Sequence, residues 1–109
     1  MLITAEEWIE KANDQYNQKR YTESLLSATK AIEIDDDIVN GWWFLALSHQ
    51  ELGDLDEALD ALNKTIDRAP YFANGWARYG AVLQMLGADE DEKYSYHMSS
   101  QEAFEEAVE

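Results

Sequence analysis

Apolar positions along this chain recur every three to four residues, not every second residue. Leu25, Ala28, Ala31 and Ile32 form one such run, and Ala58, Leu59, Leu62, Thr65 and Ile66 form another. That spacing is the period of an amphipathic helix and leaves no case for strands. The runs are broken at Asn17 to Arg20, Gly53-Asp54 and Gly87-Ala88, and again at Asp35-Asp36-Asp37 and Ala69-Pro70, residue types that favour turns over helix interiors. Helices are therefore predicted at about residues 5 to 18, 22 to 35, 39 to 52, 56 to 69 and 73 to 86, joined in pairs by tight turns.

The same punctuation has a longer period. Trp8, Trp42 and Trp76 recur at a constant offset of 34, and Ala5, Val39 and Ala73 keep that register. So do the small residues Ala12, Ala46 and Gly80, while Asn40-Gly41-Trp42 returns as Asn74-Gly75-Trp76. Gly53 with Gly87, Ser24 with Ala58, Ile32 with Ile66 and Asp36 with Pro70 share the offset. A unit of this length with a Trp, a small residue four later, a turn Gly, an Ala in the second helix and a closing Pro resembles the tetratricopeptide repeat (TPR) family. The second unit carries the resemblance most fully, through Trp42, Leu45, Ala46, Gly53, Ala58 and Pro70; the first has Ser24 for the usual Ala and Asp36 for the Pro. The implied fold is all-α, a right-handed superhelical solenoid of stacked antiparallel helix hairpins. It would fill residues 1–109 as one array of about three units, at 5–38, 39–72 and 73–109.

Packing gives each pattern residue a reason. Ala12, Ala46 and Gly80 are small where two helices of a hairpin cross, with Ser24 and Ala58 small on the facing helix. The three tryptophans are expected to fill equivalent environments between hairpins, each indole N–H needing an acceptor.

The third unit departs from the register. Glu92 stands where a small residue belongs, inside the acidic run Asp89 to Glu92, and Ala103 to Glu109 resembles Ala61 to Asp67 at an offset of 42. Either an eight-residue insertion within Ala88 to His97 or a divergent capping helix accounts for this; a long final helix is the expectation. The acidic run, and Asp35 to Asp37, are expected as carboxylates favoured at helix N-termini, since neither has the alternating ligands of a calcium loop.

Charge and composition narrow the function. A formal charge of −15 repels phosphate backbones and anionic lipid surfaces, which argues against a nucleic-acid or membrane partner. The N-terminus has no basic region ahead of a long apolar stretch, so a cytoplasmic location is expected. There is no Cys and only His49 and His97, which leaves no metal-ligand cluster and no nucleophile with a nearby base; His49 is read as a packed histidine. Glycines are dispersed and do not form a phosphate-cradling loop. No enzymatic activity and no cofactor are expected.

The resemblance implies that the first helix of each hairpin lines a concave groove. Helical spacing then selects Glu6, Ile9, Asn13 and Tyr16 in the first unit, Asn40, Trp43, Leu47 and Gln50 in the second, and Asn74, Ala77, Ala81 and Gln84 in the third. Trp43 points about 100° away from Trp42. It is either a packing residue beneath a neighbouring hairpin or an aromatic anchor in the groove. The family's carboxylate clamp for acidic chaperone tails uses two Lys, two Asn and an Arg. Here Asn13 and Arg78 match it, while Ile9, Phe44 and Asn74 replace a Lys, an Asn and a Lys. The expected function is a protein-protein interaction scaffold that holds a partner peptide or protein segment in this groove, an apolar or weakly basic segment rather than an acidic tail. The alternatives are a self-associating module forming a homo-oligomer and a docking segment of a larger enzyme.

Overall fold

The computed structural model describes residues 2–87. Within them lie five helices: α1 (Ala5–Asn17), α2 (Tyr21–Ile34), α3 (Val39–Glu51), α4 (Leu55–Arg68) and α5 (Ala73–Met85). No strand occurs among the described residues. The expected bounds hold closely, and the starts of α1, α3 and α5 at Ala5, Val39 and Ala73 keep the offset of the tryptophans. The second helix of the third unit, the expected insertion and the acidic run Asp89 to Glu92 lie outside the described residues.

Connections of a few residues make α1–α2 and α3–α4 antiparallel hairpins, and each second helix also packs on the next first helix, α2 on α3 and α4 on α5. The small residues mark the crossings. Ala12, Ser24, Ala46 and Ala58 are all fully buried, and Ser24 Oγ donates to the Ala12 carbonyl at 2.8 Å. Ser24 thus satisfies its hydroxyl within the closest approach instead of disturbing it. Around these crossings Ala46, Ala58, Ala61, Leu62, Ile66, Tyr79, Val82 and Leu83 form one core, with Trp42, Leu45 and Trp76 packed against it. Gly80 is exposed and has no neighbour within 4 Å of a built Cβ among the described residues.

The turns inside the hairpins repeat as faithfully. The Arg20 N–H donates to the Gln15 carbonyl and the Asp54 N–H to the His49 carbonyl, both at 2.8 Å, while Lys19 and Gly53 donate to Tyr16 and Gln50. This pair of bonds is the Schellman closure, which needs a left-handed residue just past the helix. Gly53 (φ 84°) and Gly87 (φ 68°) supply it without strain; Lys19 (φ 64°) supplies it against the steric preference of a side chain. His49 is half-buried, with Nδ1 3.3 Å from Asp54 Oδ2 across the second turn.

Between units the chain is held by the hairpin that follows. Trp42 Nε1 donates to the Asp36 carbonyl and Trp76 Nε1 to the Pro70 carbonyl, each at 2.8 Å and each six residues back. Arg68 Nε reaches the Asp36 carbonyl as well, at 2.7 Å, with its guanidinium 5.1 Å from the Trp42 ring. Trp8 does not share this setting. Its equivalent carbonyl would belong to Leu2, and Lys11 Nζ lies 4.9 Å over its ring instead. No hairpin precedes α1 in the described residues, so the expected equivalence holds for two tryptophans of three.

The residue just before each of these tryptophans shows the same difference. Gly41 and Gly75 are buried; a Cβ on Gly41 would come within 2.9 Å of both Ile32 Cγ1 and Ile38 Cγ2. The equivalent in α1 is Glu7, which completes a capping box with Thr4: the Glu7 N–H donates to Thr4 Oγ1 at 3.2 Å and the Thr4 N–H to Glu7 Oε1 at 3.4 Å. Contrary to expectation, Asp35 to Asp37 do not start a helix. Asp35 is the C-cap of α2, Ile38 is the N-cap of α3, and the first turn of α3 carries no acid. The Asp37 N–H donates to Asp35 Oδ1 at 3.0 Å, so the tripeptide forms the linker turn, and the side chain of the N-cap residue Ile38 lies beside Gly41.

Candidate functional site

The first helices α1, α3 and α5 lie side by side, and the side chains chosen from the sequence meet along two seams between them. At the seam of α1 and α3, Tyr16 packs on Phe44 with ring centroids 6.3 Å apart and on Tyr21 edge-on at 5.4 Å. The Tyr16 hydroxyl donates to Glu51 Oε1 at 3.4 Å. Burial, first, and the neighbouring Glu51 carboxylate push the Tyr16 phenol above its usual pKa, against a smaller opposing effect of Arg78. At the seam of α3 and α5, Arg78 Nη1 donates to Gln50 Oε1 at 3.3 Å and Gln50 Nε2 approaches Met85 Sδ at 3.6 Å.

These two seams are one geometry repeated. Tyr16 and Gln50 are one repeat apart, as are Phe44 and Arg78, and Glu51 and Met85. The chemistry differs completely. The first seam is phenol, phenyl and carboxylate; the second is amide, guanidinium and thioether.

Trp43 stands on the α5 side of α3, about two turns before Gln50. Its ring meets Phe72 edge-on at 4.8 Å, lies 5.9 Å from the Arg78 guanidinium and packs against the core. It also forms a wall of a cleft of about 360 Å³ that is completed by Asn74, Ala77, Arg78 and Ala81. One edge of Trp43 thus packs against Phe72 at the start of the following hairpin, and the remainder faces the cleft. Five of the groove residues selected from the sequence come together here. Asn13, Asn40 and Gln84 are exposed, and Ile9 is half-buried on α1; Asn13 Oδ1 accepts from Asn17 Nδ2 at 3.3 Å.

Leu47 differs from its expected place at the groove centre. It retains only 6% of its exposure. The middle helix α3 has neighbours on several sides, α1, α2 and α4, so the turn after Trp43 is covered where the matching Asn13 is exposed. Glu51 and Met85 escape a reading of the sequence by helix faces, because helical spacing within one unit cannot find a contact made across units. The signal that finds them is the repeat offset plus one, from Tyr16 to Glu51 and from Gln50 to Met85.

Asp35, Asp36 and Asp37 bring carboxylate oxygens within 4.8 Å of one another, all of them exposed. Exposed acids of this kind serve as a solvated turn. Among the described residues no helix is long and apolar enough to cross a membrane.

No family model matches the sequence. Hsp70-Hsp90 organizing protein 3 from Arabidopsis thaliana is 32% identical over 78 residues, which cover 72% of this chain and 14% of that protein. The likeness falls on a chain whose helix starts, turn closures and tryptophan bonds recur with one and the same period. The chain belongs to the tetratricopeptide repeat family. The repeat array also superimposes on two crystal structures of MamA, with TM-scores of 0.81 and 0.82 at 21% identity, over 96% of this chain and 61% and 57% of theirs. These two likenesses establish the fold. The repeat array spans about one seventh of the length of its curated relative and somewhat over half of the solved chains.

Proposed function

We propose that the repeat array is a protein-interaction scaffold, holding a segment of a partner protein across α1, α3 and α5 without chemistry or cofactor. The observation that carries this reading is the cleft walled by Trp43, Asn74, Ala77, Arg78 and Ala81. It offers an aromatic face, two methyl surfaces, an amide and the Arg78 guanidinium, a set that seats an apolar side chain while hydrogen-bonding an adjacent backbone. The relative's name speaks of organizing Hsp70 and Hsp90, which makes an acidic chaperone tail the obvious alternative ligand. Against it, Ile9, Phe44 and Asn74 stand at three of five clamp positions, Arg78 already donates to Gln50, and the chain carries a charge of −15. An apolar or weakly basic segment fits better.

The test uses peptides selected from a random library on the wild-type protein, then measured by titration calorimetry on Trp43→Ala. Binding should weaken by about 2 kcal/mol, roughly thirtyfold. Because Trp43 also packs on Phe72 and the core, the same change should cost about 1.5–3 kcal/mol of stability, less than a fully buried tryptophan would. A folded Trp43→Ala protein that binds the selected peptides as tightly as before refutes the groove.

A further inference from the structure

The two seams of the groove occupy equivalent places in the repeat and present opposite electrostatics. At the α1–α3 seam the only charge among Tyr16, Phe44 and Glu51 is a carboxylate; at the α3–α5 seam the only charge among Gln50, Arg78 and Met85 is a guanidinium. A groove whose ends differ in this way does not treat the two directions of a bound segment alike.

We infer that the α1–α3 seam is a subsite for a basic side chain of the bound segment, seated on the Tyr16 and Phe44 rings with its charge at Glu51. The inference rests on the groove reading above, and adds to it a charge preference and a direction. Aromatic faces beside a carboxylate are the surroundings that a Lys or Arg side chain needs, ring for the stem and cation, oxygen for the hydrogen bond. A net charge of −15 on the whole chain draws such a partner in.

Stability does not explain Glu51. It is the last residue of α3, where the partial negative charge of the free carbonyls disfavours a carboxylate. It is exposed, makes no ion pair among the described residues and is held by the Tyr16 hydroxyl at 3.4 Å. Its Coulomb effect reaches the phenol, whose ionisation it opposes. An exposed carboxylate kept where the helix disfavours it, at the hydroxyl of a tyrosine whose ring packs on Phe44, is placed for a cation that comes from elsewhere. Arg78 lines the Trp43 cleft and its charge reaches Tyr16 too, though less strongly than that of Glu51, so a basic side chain is repelled at the cleft and attracted on the Glu51 side.

Spacing fixes the register. The seams are one inner-helix separation apart, about 8–10 Å, and an extended chain advances about 3.3 Å per residue. Glu51 also lies eight residues beyond Trp43 along α3, about 12 Å, so the basic residue should stand about 14–16 Å, or about four to five residues, from the apolar side chain in the Trp43 cleft.

A random heptamer library is panned in parallel on the wild-type, Glu51→Gln and Trp43→Ala proteins, and the selected pools are sequenced. Wild type should enrich Lys or Arg about four to five positions from an apolar or aromatic residue, always on the same side of it. Glu51→Gln should lose the basic enrichment while keeping the apolar one, and should bind a wild-type-selected peptide about two- to fivefold more weakly. Wild-type pools with no basic preference, or basic enrichment that survives Glu51→Gln, overturn the subsite while leaving the groove standing. Pools from Trp43→Ala identical to those from wild type overturn the groove, and the subsite with it.

Discussion

Replacing Lys19 by Gly should stabilise this protein. Lys19 holds φ at 64° at the position that Gly53 and Gly87 fill in the other turns, and the Schellman bonds from Lys19 and Arg20 oblige it to stay there. A left-handed conformation costs a residue with a Cβ about 1–2 kcal/mol. Glycine removes that cost but brings about 0.4–1 kcal/mol of extra unfolded-chain entropy. The net gain is about 0.5–1 kcal/mol, which in a chain of this size raises the unfolding midpoint by about 3–6 °C. Lys19 is also one of only eight basic residues against twenty-three acids, so losing it adds self-repulsion. The comparison that isolates the backbone is Lys19→Gly against Lys19→Ala, which lack the same charge. Thermal unfolding followed by circular dichroism at two salt concentrations should place the glycine variant above the alanine variant in both. Equal midpoints for the two would refute the claim that the left-handed turn is strained, and Gly53→Ala should then be harmless too, where the present reasoning has it costing about 1 kcal/mol or more.

Gly41→Ala should destabilise by about 1–2 kcal/mol in chemical denaturation, because its Cβ meets Ile32 and Ile38 at 2.9 Å and the overpacking outweighs the helix-propensity gain; an increase in stability would show that α2 yields freely. Ser48 is fully buried with no hydrogen-bond partner for its hydroxyl among the described residues, and Val82 stands at the matching position of α5. Ser48→Ala should thus stabilise by about 1 kcal/mol, and a loss of similar size would mean the hydroxyl is satisfied in solution. Tyr16 has its pKa raised above the ordinary value of 10.0 by burial and by Glu51, so the folded state holds the phenolic proton more tightly than the unfolded state does. Its contribution to stability is full below the unfolded pKa and is lost as pH rises through the higher folded value. Glu51→Gln should lower the Tyr16 midpoint, read from phenolate absorbance, without returning it fully to the unfolded value; no movement would place the carboxylate away from the hydroxyl.

The helices and their pairing are legible in the sequence because they follow from local rules, periodicity and turn residues, repeated often enough to be checked against themselves. Ala12, Ala46 and Ala58 can be assigned to close crossings from size alone. Lys19 hides the first turn closure, since a lysine carries no sign of a left-handed backbone and only its offset from Gly53 gives it away. The environment of Trp8 departs from expectation for a related reason: the sequence repeats, yet no hairpin precedes α1 among the described residues. Leu47 is buried rather than central to the groove because its helix alone does not reveal how many others surround it. The cleft beside Trp43 emerges from spacing within units, whereas the Tyr16–Glu51 and Gln50–Arg78 contacts depend on how far one hairpin turns relative to the next, which no single unit encodes.

The bond from each of Trp42 and Trp76 to the chain six residues back gives the stack a sense of dependence. The carbonyls of Asp36 and Pro70 close the hairpin before them, yet the groups that hold them, Trp42, Arg68 and Trp76, come from the hairpin after. Each repeat is thus finished by its successor, so that damage travels backwards along the chain. Loosening α5 frees the end of α4, and loosening the α3–α4 pair frees the end of α2, before any residue of the earlier element has been touched. In a linear array, stability divides into the intrinsic stability of each unit and the coupling between neighbours, and here the coupling is lodged in side chains of the later unit. Replacing Trp42 or Trp76 by Phe should accordingly loosen the hairpin before it, whereas the same change at Trp8, which makes no such bond to an earlier carbonyl among the described residues, should not.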